Sequence, residues 1–195
     1  MVGPFQADDA GTPLDPHECD GLIPTHITTR EQLNELEAEN ILEAISWAFT
    51  RRRNVIDEVF LLGLHRRMLN RVWRWAGEYR RTERNLGVAP YRIQVELIAL
   101  LDTMRFWIAH RTWPPDELGV RFHHGLVVIH PFANGNGRWS RLAADILVVQ
   151  QGGARFSWGG SADLRRAGND RDGYIAALKR ADNHDFAALI AFARS

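Results

Sequence analysis

His130-Pro-Phe-Ala-Asn-Gly-Asn-Gly-Arg-Trp-Ser-Arg141 separates two apolar helical stretches, and its reading decides how the rest of the chain is understood. Upstream, Leu118, Phe122, Leu126 and Ile129 recur at helical spacing. The last turn, Leu126-Val-Val-Ile129, is apolar on every side, as at a helix running into the middle of a bundle. Downstream, Arg138 to Val149 reads as a second helix whose terminal half is also apolar all round. A glycine loop between two buried helices is therefore expected inside the protein rather than at its rim. Gly135 and Gly137 permit positive φ and leave the backbone bare, so that successive amides can line a nest for an anion. The following helix turns its unsatisfied N–H groups and positive dipole end to the same point. Arg138 and Arg141, three residues apart, share one face above that nest and outline a polyphosphate clamp. His130 is the side chain in the segment able to accept a proton near neutral pH. Asn134 offers an amide oxygen, a weak ligand, to a phosphate-bound Mg2+. The segment has no lysine and no G-x-x-x-x-G-K-[ST] spacing, and a helix rather than a strand precedes the glycines, so neither a P-loop nor a dinucleotide turn explains it.

Outward from this loop, the chain has the size and composition of one domain: 195 residues, 45% hydrophobic and 25% charged. Basic and acidic residues both number 24, so no global excess points to nucleic acid. No apolar run reaches membrane-spanning length. The single cysteine, Cys19, excludes an internal disulfide, and with no signal-peptide pattern at residues 1–20 the expected setting is cytoplasmic. Residues 1–27, with Pro4, Pro13, Pro16 and Pro24, read as an extended N-terminal arm, and 28–195 as one domain. Thr28 and Glu31 fit a capping box before a helix over about 29–51, and Phe60, Leu61, Leu64, Met68, Leu69 and Val72 mark a second. Residues 80–92 break the period and read as a small β-hairpin flap around Asn85 and Gly87. Ile93 to Ile108 restores the helical period up to the Trp113-Pro114-Pro115 stop, Asp116 suits the cap of the next helix, and Tyr174–Leu178 and Phe186–Ile190 close the chain with two more helices.

The loop resembles the signature of the Fic family, His-x-Phe-x-(Asp/Glu)-Gly-Asn-Gly-Arg-x-x-Arg, departing at Asn134 alone among the fixed positions. Trp75-Ala-Gly-Glu-Tyr-Arg80, Arg171 through Leu178 and Asp185 through Phe192 carry supporting similarity. Gly21–Thr29 and Glu37–Leu42 resemble the subgroup called mobile mystery protein B. The resemblance implies an all-α, Fic-like bundle of about six to eight helices with a small β-hairpin flap. It implies protein adenylyltransferase activity, the transfer of AMP from ATP, with Mg2+, to a Ser, Thr or Tyr hydroxyl of a target protein. Carried over by position, His130 is the base; Gly135, Asn136 and Gly137 form the phosphate nest; Arg138 and Arg141 hold the β and γ phosphates. The flap, Arg84, Asn85, Leu86, Gly87, Val88, Ala89 and Pro90, clamps a stretch of target by strand addition. Asn134 in place of an acid implies weaker Mg2+ binding rather than loss of activity. The partial match of Glu39-Asn40 to an inhibitory motif implies an ion pair from Glu39 to Arg141 that displaces the γ-phosphate. A plain solvated glutamate is the alternative. The other readings kept open are a Doc-like phosphotransferase, against which the intact glycines stand, and a nucleotide-binding regulatory module whose catalysis has lapsed. The subgroup resemblance adds a small helix-turn-helix protein as regulator. His123 and His124 lack zinc-protease spacing and read as a helix face, and Trp139 as core or as a neighbour of the nucleotide.

Overall fold

A computed structural model describes residues 16–160, 164 and 168–195, so the first fifteen residues of the expected N-terminal arm lie outside the described residues. The expected all-α class holds. After a single helical turn, α1 (Pro16–Cys19), the chain builds α2 (Arg30–Phe49), α3 (Glu58–Leu69), α4 (Ile93–His110), α5 (Pro115–Ile129), α6 (Asn136–Gln150), α7 (Asn169–Ala181) and α8 (Ala187–Arg194). The capping box of α2 is real but one residue later than expected. Thr29 accepts from the Gln32 amide while the Gln32 side chain reaches back to the Thr29 N–H. Asp57 caps α3 through the Phe60 amide. Pro114, not Asp116, precedes α5, whose first position is Pro115, where a missing N–H costs nothing. Among the described residues, no helix is long and apolar enough to cross a membrane.

Two apolar clusters hold the helices together. The larger gathers α2 to α6 around Leu33, Leu61, Leu64, Met68, Leu97, Met104, Phe122, Phe132 and Trp139. The smaller joins the outer sides of α5 and α6 to α7 and α8 through Val120, Val148, Tyr174 and Leu189. Helices α5 and α6 thus lie between both clusters, which encloses the loop between them; the expected all-round burial of their apolar ends is not complete, since Val128 and Val149 stay exposed.

The hairpin expected at 80–92 is not formed. Residues 81–89 are irregular, Pro90–Arg92 make a turn of 3-10 helix leading into α4, and the sole β-bridge among the described residues pairs Leu22 with Trp73. The turn chemistry at Asn85–Gly87 is present, but the backbone groups that would form a ladder are taken up by a side chain. Arg80 donates from Nη1 to the Thr82 carbonyl at 2.8 Å and from Nη2 to the Val88 carbonyl, bridging the two ends of the segment from within.

Candidate active site

The loop after α5 is built by its own side chains before any ligand is considered. Asn136 is buried and clasps the turn: its Oδ1 accepts from the Phe132 amide at 2.9 Å and its Nδ2 donates to the Phe132 carbonyl at 2.8 Å. Gly135 caps α6 with φ +79, and a Cβ there would meet Leu69 at 2.9 Å and His65 at 3.2 Å, so both conformation and space call for glycine. From outside, the Gly77 amide donates to His65 Nδ1 at 2.9 Å, which leaves Nε2 to donate to the Asn134 carbonyl at 3.0 Å. His65 also stacks on Phe132 with ring centroids 3.6 Å apart, and burial pushes its pKa down to about 3. It is a neutral brace between the loop and the segment that starts the flap.

His130 closes α5 in the left-handed region, φ +52, which bends the chain sharply from helix into loop. Its ring is buried, and Nδ1 is out of contact with water. Burial, then the charges of Arg80 and Arg84, lower its pKa to about 4, with the Val127 backbone working the other way. The imidazole is therefore neutral at pH 7 and able to accept a proton. Arg80 ties the flap to this residue: Nε donates to the His130 carbonyl at 2.7 Å and its amide to the Pro131 carbonyl at 2.9 Å. Further along, the Val88 amide donates to the Ile129 carbonyl at 3.3 Å. The flap passes so close that a Cβ on Gly87 would fall 2.6 Å from His130 Cβ.

The arginines stand at the other side of the loop. Arg138, in the first turn of α6, donates from Nη1 to Glu37 Oε2 at 2.6 Å, and Glu37 Oε1 accepts from Trp73 Nε1 at 2.7 Å. Glu37 is only 4% exposed. Arg141 is set against Tyr174 on α7, whose hydroxyl lies 2.9 Å from His123 Nε2, within hydrogen-bond distance. Burial lowers the pKa of Arg141 and Tyr174 opposes it. The guanidinium keeps its charge.

A family model described as Fic/DOC family matches residues 55–148, which span the flap, His130 and most of α6. Residues 55–148 of this chain are therefore similar to the Fic/DOC family. A protein adenylyltransferase Fic from Drosophila grimshawi is 34% identical over 96 residues, 47% of this chain and 20% of that one. Protein adenylyltransferase fic-1 from Caenorhabditis briggsae is 32% identical over 105 residues, 50% of this chain and 20% of its own. The chain thus spans about a fifth of the length of these curated relatives. Among solved structures, BepC from Bartonella tribocorum, with bound AMPPNP, superposes with a TM-score of 0.69 at 16% identity, covering 92% of this chain and 97% of that one. Fic-1 from C. elegans gives 0.62 at 22% identity, covering 90% and 50%. At these identities the structures establish the Fic fold alone.

Within the matched segment the residues read from the signature come together: His130, Gly135, Asn136, Gly137, Arg138 and Arg141 all lie around one loop. Three expectations change. Glu39 is exposed on α2 and does not meet Arg141; two residues earlier, Glu37 faces inward and pairs with Arg138 instead. An interval of two residues on a helix is about 200° of rotation, so only one of the two glutamates can face the core. Arg84 is not presented to a target: it is 8% exposed and ion-paired with Glu18. Asn134 folds its Oδ1 back onto the Gly135 amide at 2.5 Å, so its oxygen is already engaged. Trp139 is core, donating to the Leu61 carbonyl at 2.9 Å. Sequence reasoning missed Glu37, His65, Arg80 and Tyr174 as parts of the site. The one signal that could have found Glu37 is the inward phase it shares with Leu33 and Asn40.

Proposed function

We propose that this chain is a protein adenylyltransferase whose reaction centre is the loop His130–Arg141. The observation that carries it is a neutral, enclosed imidazole at one end of a bare-backbone helix N-terminus, with Arg138 and Arg141 on the other. The triphosphate of ATP rests against the Gly135–Gly137 backbone, and the arginines neutralise the β and γ phosphates. A Ser, Thr or Tyr hydroxyl of the target, held along the flap, attacks the α-phosphorus. The bond from that phosphorus to the β-bridging oxygen breaks, and pyrophosphate leaves. With Nδ1 shut in, Nε2 of His130 is the nitrogen that takes the hydroxyl proton. The protein's work is positioning and charge neutralisation, as phosphoryl-type transfer requires.

The chain's residues do not fit a protein-built Mg2+ site. Asn134 is neutral and engaged with Gly135, and no group of three or more His, Cys, Asp or Glu residues suited to a metal lies among the described residues. Any Mg2+ rides on the nucleotide, and no step above depends on it. The Glu37–Arg138 pair occupies half of the clamp, so the described conformation is one in which the γ-phosphate must compete with a carboxylate. We therefore keep the expectation of autoinhibition and move it from Glu39 to Glu37. The cytoplasmic setting is kept on the single cysteine and the pattern of residues 1–20, and a helix-turn-helix regulator on the subgroup resemblance.

Intact-mass measurement of the chain, and of lysate proteins, after incubation with ATP tests the proposal. An AMP-sized adduct that disappears in His130→Ala is the expected result. A phosphate-sized adduct would mean the Doc-like reaction, and ATP binding with no adduct in wild type or Glu37→Gln would mean a lapsed enzyme.

A further inference from the structure

The N-terminal segment that precedes the family-matched core reaches the flap. Glu18, at the end of α1, forms an ion pair with Arg84 in which both side chains are nearly enclosed, 13% and 8% exposed. Thr82 Oγ1 lies 3.4 Å from the other carboxylate oxygen of Glu18. The segment itself is seated on residues 72–75: Trp75 Nε1 donates to the Glu18 carbonyl at 3.0 Å, the Ile23 amide to the Val72 carbonyl at 2.8 Å, and the Arg74 amide to the Gly21 carbonyl at 2.9 Å. Gly21 is pressed onto Trp75, where an added Cβ would come within 2.5 Å of the indole. On its inner side the same flap is held to His130 by Arg80 and by the Val88 amide. Residues 82–84 are thus fastened outward to the strap, and residues 80 and 88 inward to the base.

We propose that Glu18 is a positioning residue for the flap: through Arg84 the strap of residues 18–23 sets how the flap stands over His130, and so how a target segment can enter. This rests on the proposed transferase reading for its consequence in catalysis, but not for its structural content. The physical argument is one of desolvation. An ion pair this enclosed contributes little net stability against a well-packed apolar pair, yet removing Glu18 leaves the Arg84 guanidinium enclosed without that carboxylate. Arg84 without Glu18 must therefore turn toward water, and it can do so only by carrying residues 82–86 off the strap. Since Arg80 bridges Thr82 and Val88, the movement is passed to the Val88–Ile129 hydrogen bond beside His130.

Hydrogen exchange of the Val88 amide reads the flap, and the Ile23 amide reads whether the strap stays seated. In full-length Glu18→Gln and, approached from the other side, Arg84→Met, Val88 exchange should accelerate at least about tenfold while Ile23 changes less than about twofold. The exchanged pair Glu18→Arg with Arg84→Glu should bring Val88 back toward wild type. In the transfer assay the single variants should raise KM for the target protein and leave KM for ATP unchanged. Unaltered Val88 exchange in both single variants overturns the proposal, as does a loss of protection at Val88 and Ile23 together in both, which would mean simple unfolding of the strap. If wild type proves inactive while Val88 responds as stated, the transferase reading falls and the strap's hold on the flap stands. If the variants are slow only through ATP KM, positioning of the target by Glu18 is wrong.

Discussion

Glu37→Gln tests whether the buried carboxylate beside the clamp competes with nucleotide or merely braces α2. Glutamine keeps a carbonyl oxygen for Trp73 Nε1, bonded at 2.7 Å, and removes the charge that holds Arg138 at 2.6 Å. A hydrogen bond to a charged group is worth about 1.5–3 kcal/mol net, and that is the free energy ATP must overcome when it takes Arg138 from Glu37. At about 1.4 kcal/mol per tenfold, ATP should bind the variant roughly 10- to 100-fold more tightly. The same substitution should lower stability by about 1–3 kcal/mol, which for a chain of this size is about 2–4 °C in Tm for each kcal/mol. Isothermal titration with ATP and a thermal melt of the same samples measure both. Glu39→Gln, on the exposed face of α2, should change neither. A lower Tm with unchanged ATP affinity would show that Glu37 is only a brace, and an affinity gain in Glu39→Gln would refute the assignment of the inward face.

Three further outcomes follow from the same geometry. Asn136→Ala leaves the Phe132 N–H and C=O enclosed without partners, at about 1–3 kcal/mol each, so the urea midpoint should fall accordingly; a variant as stable as wild type would mean that the loop is shaped by its glycines alone. The folded-state pKa values of His130 and His65 lie below the ordinary 6.5, at about 4 and about 3. The native state therefore binds fewer protons than the unfolded chain as pH falls through 6.5, and stability should drop by about 1.4 kcal/mol per pH unit for each histidine down to pH 4. The transfer rate should show no ionisation near pH 6.5, because His130 stays neutral there, and an acid limb centred at 6.5 would contradict its enclosure. Asn134→Asp supplies the carboxylate this loop lacks, so the Mg2+ concentration for half-maximal rate should fall; an unchanged requirement would show that position 134 does not meet the nucleotide-bound metal.

Much of this arrangement could be read without coordinates because it is local. The two glycines, the phased arginines and the histidine at a helix end lie within twelve residues, and the apolar runs at the end of α5 and in the second half of α6 mark both helices as core-facing, although Val128 and Val149 remain exposed. The flap was harder. Asn85 and Gly87 do mark a turn, but whether its arms pair as strands depends on what competes for their carbonyls, and the competitor is Arg80. The inhibitory glutamate was misplaced by two positions because the motif match at Glu39-Asn40 was only partial, while the helical phase that singles out Glu37 needed a known core direction.

By itself, the order of residues determined the helical class, the positions of most helices and the chemistry gathered at His130–Arg141, since periodicity, turn residues and helix ends act over a few residues. Tertiary structure alone decided which carboxylate meets Arg138, that Glu18 grips Arg84 across 66 residues, and that His65 and Tyr174 support the loop from α3 and α7. These are pairings of side chains far apart in the chain, and their partners are chosen by how the helices pack and by what that packing removes from water, neither of which any local pattern encodes.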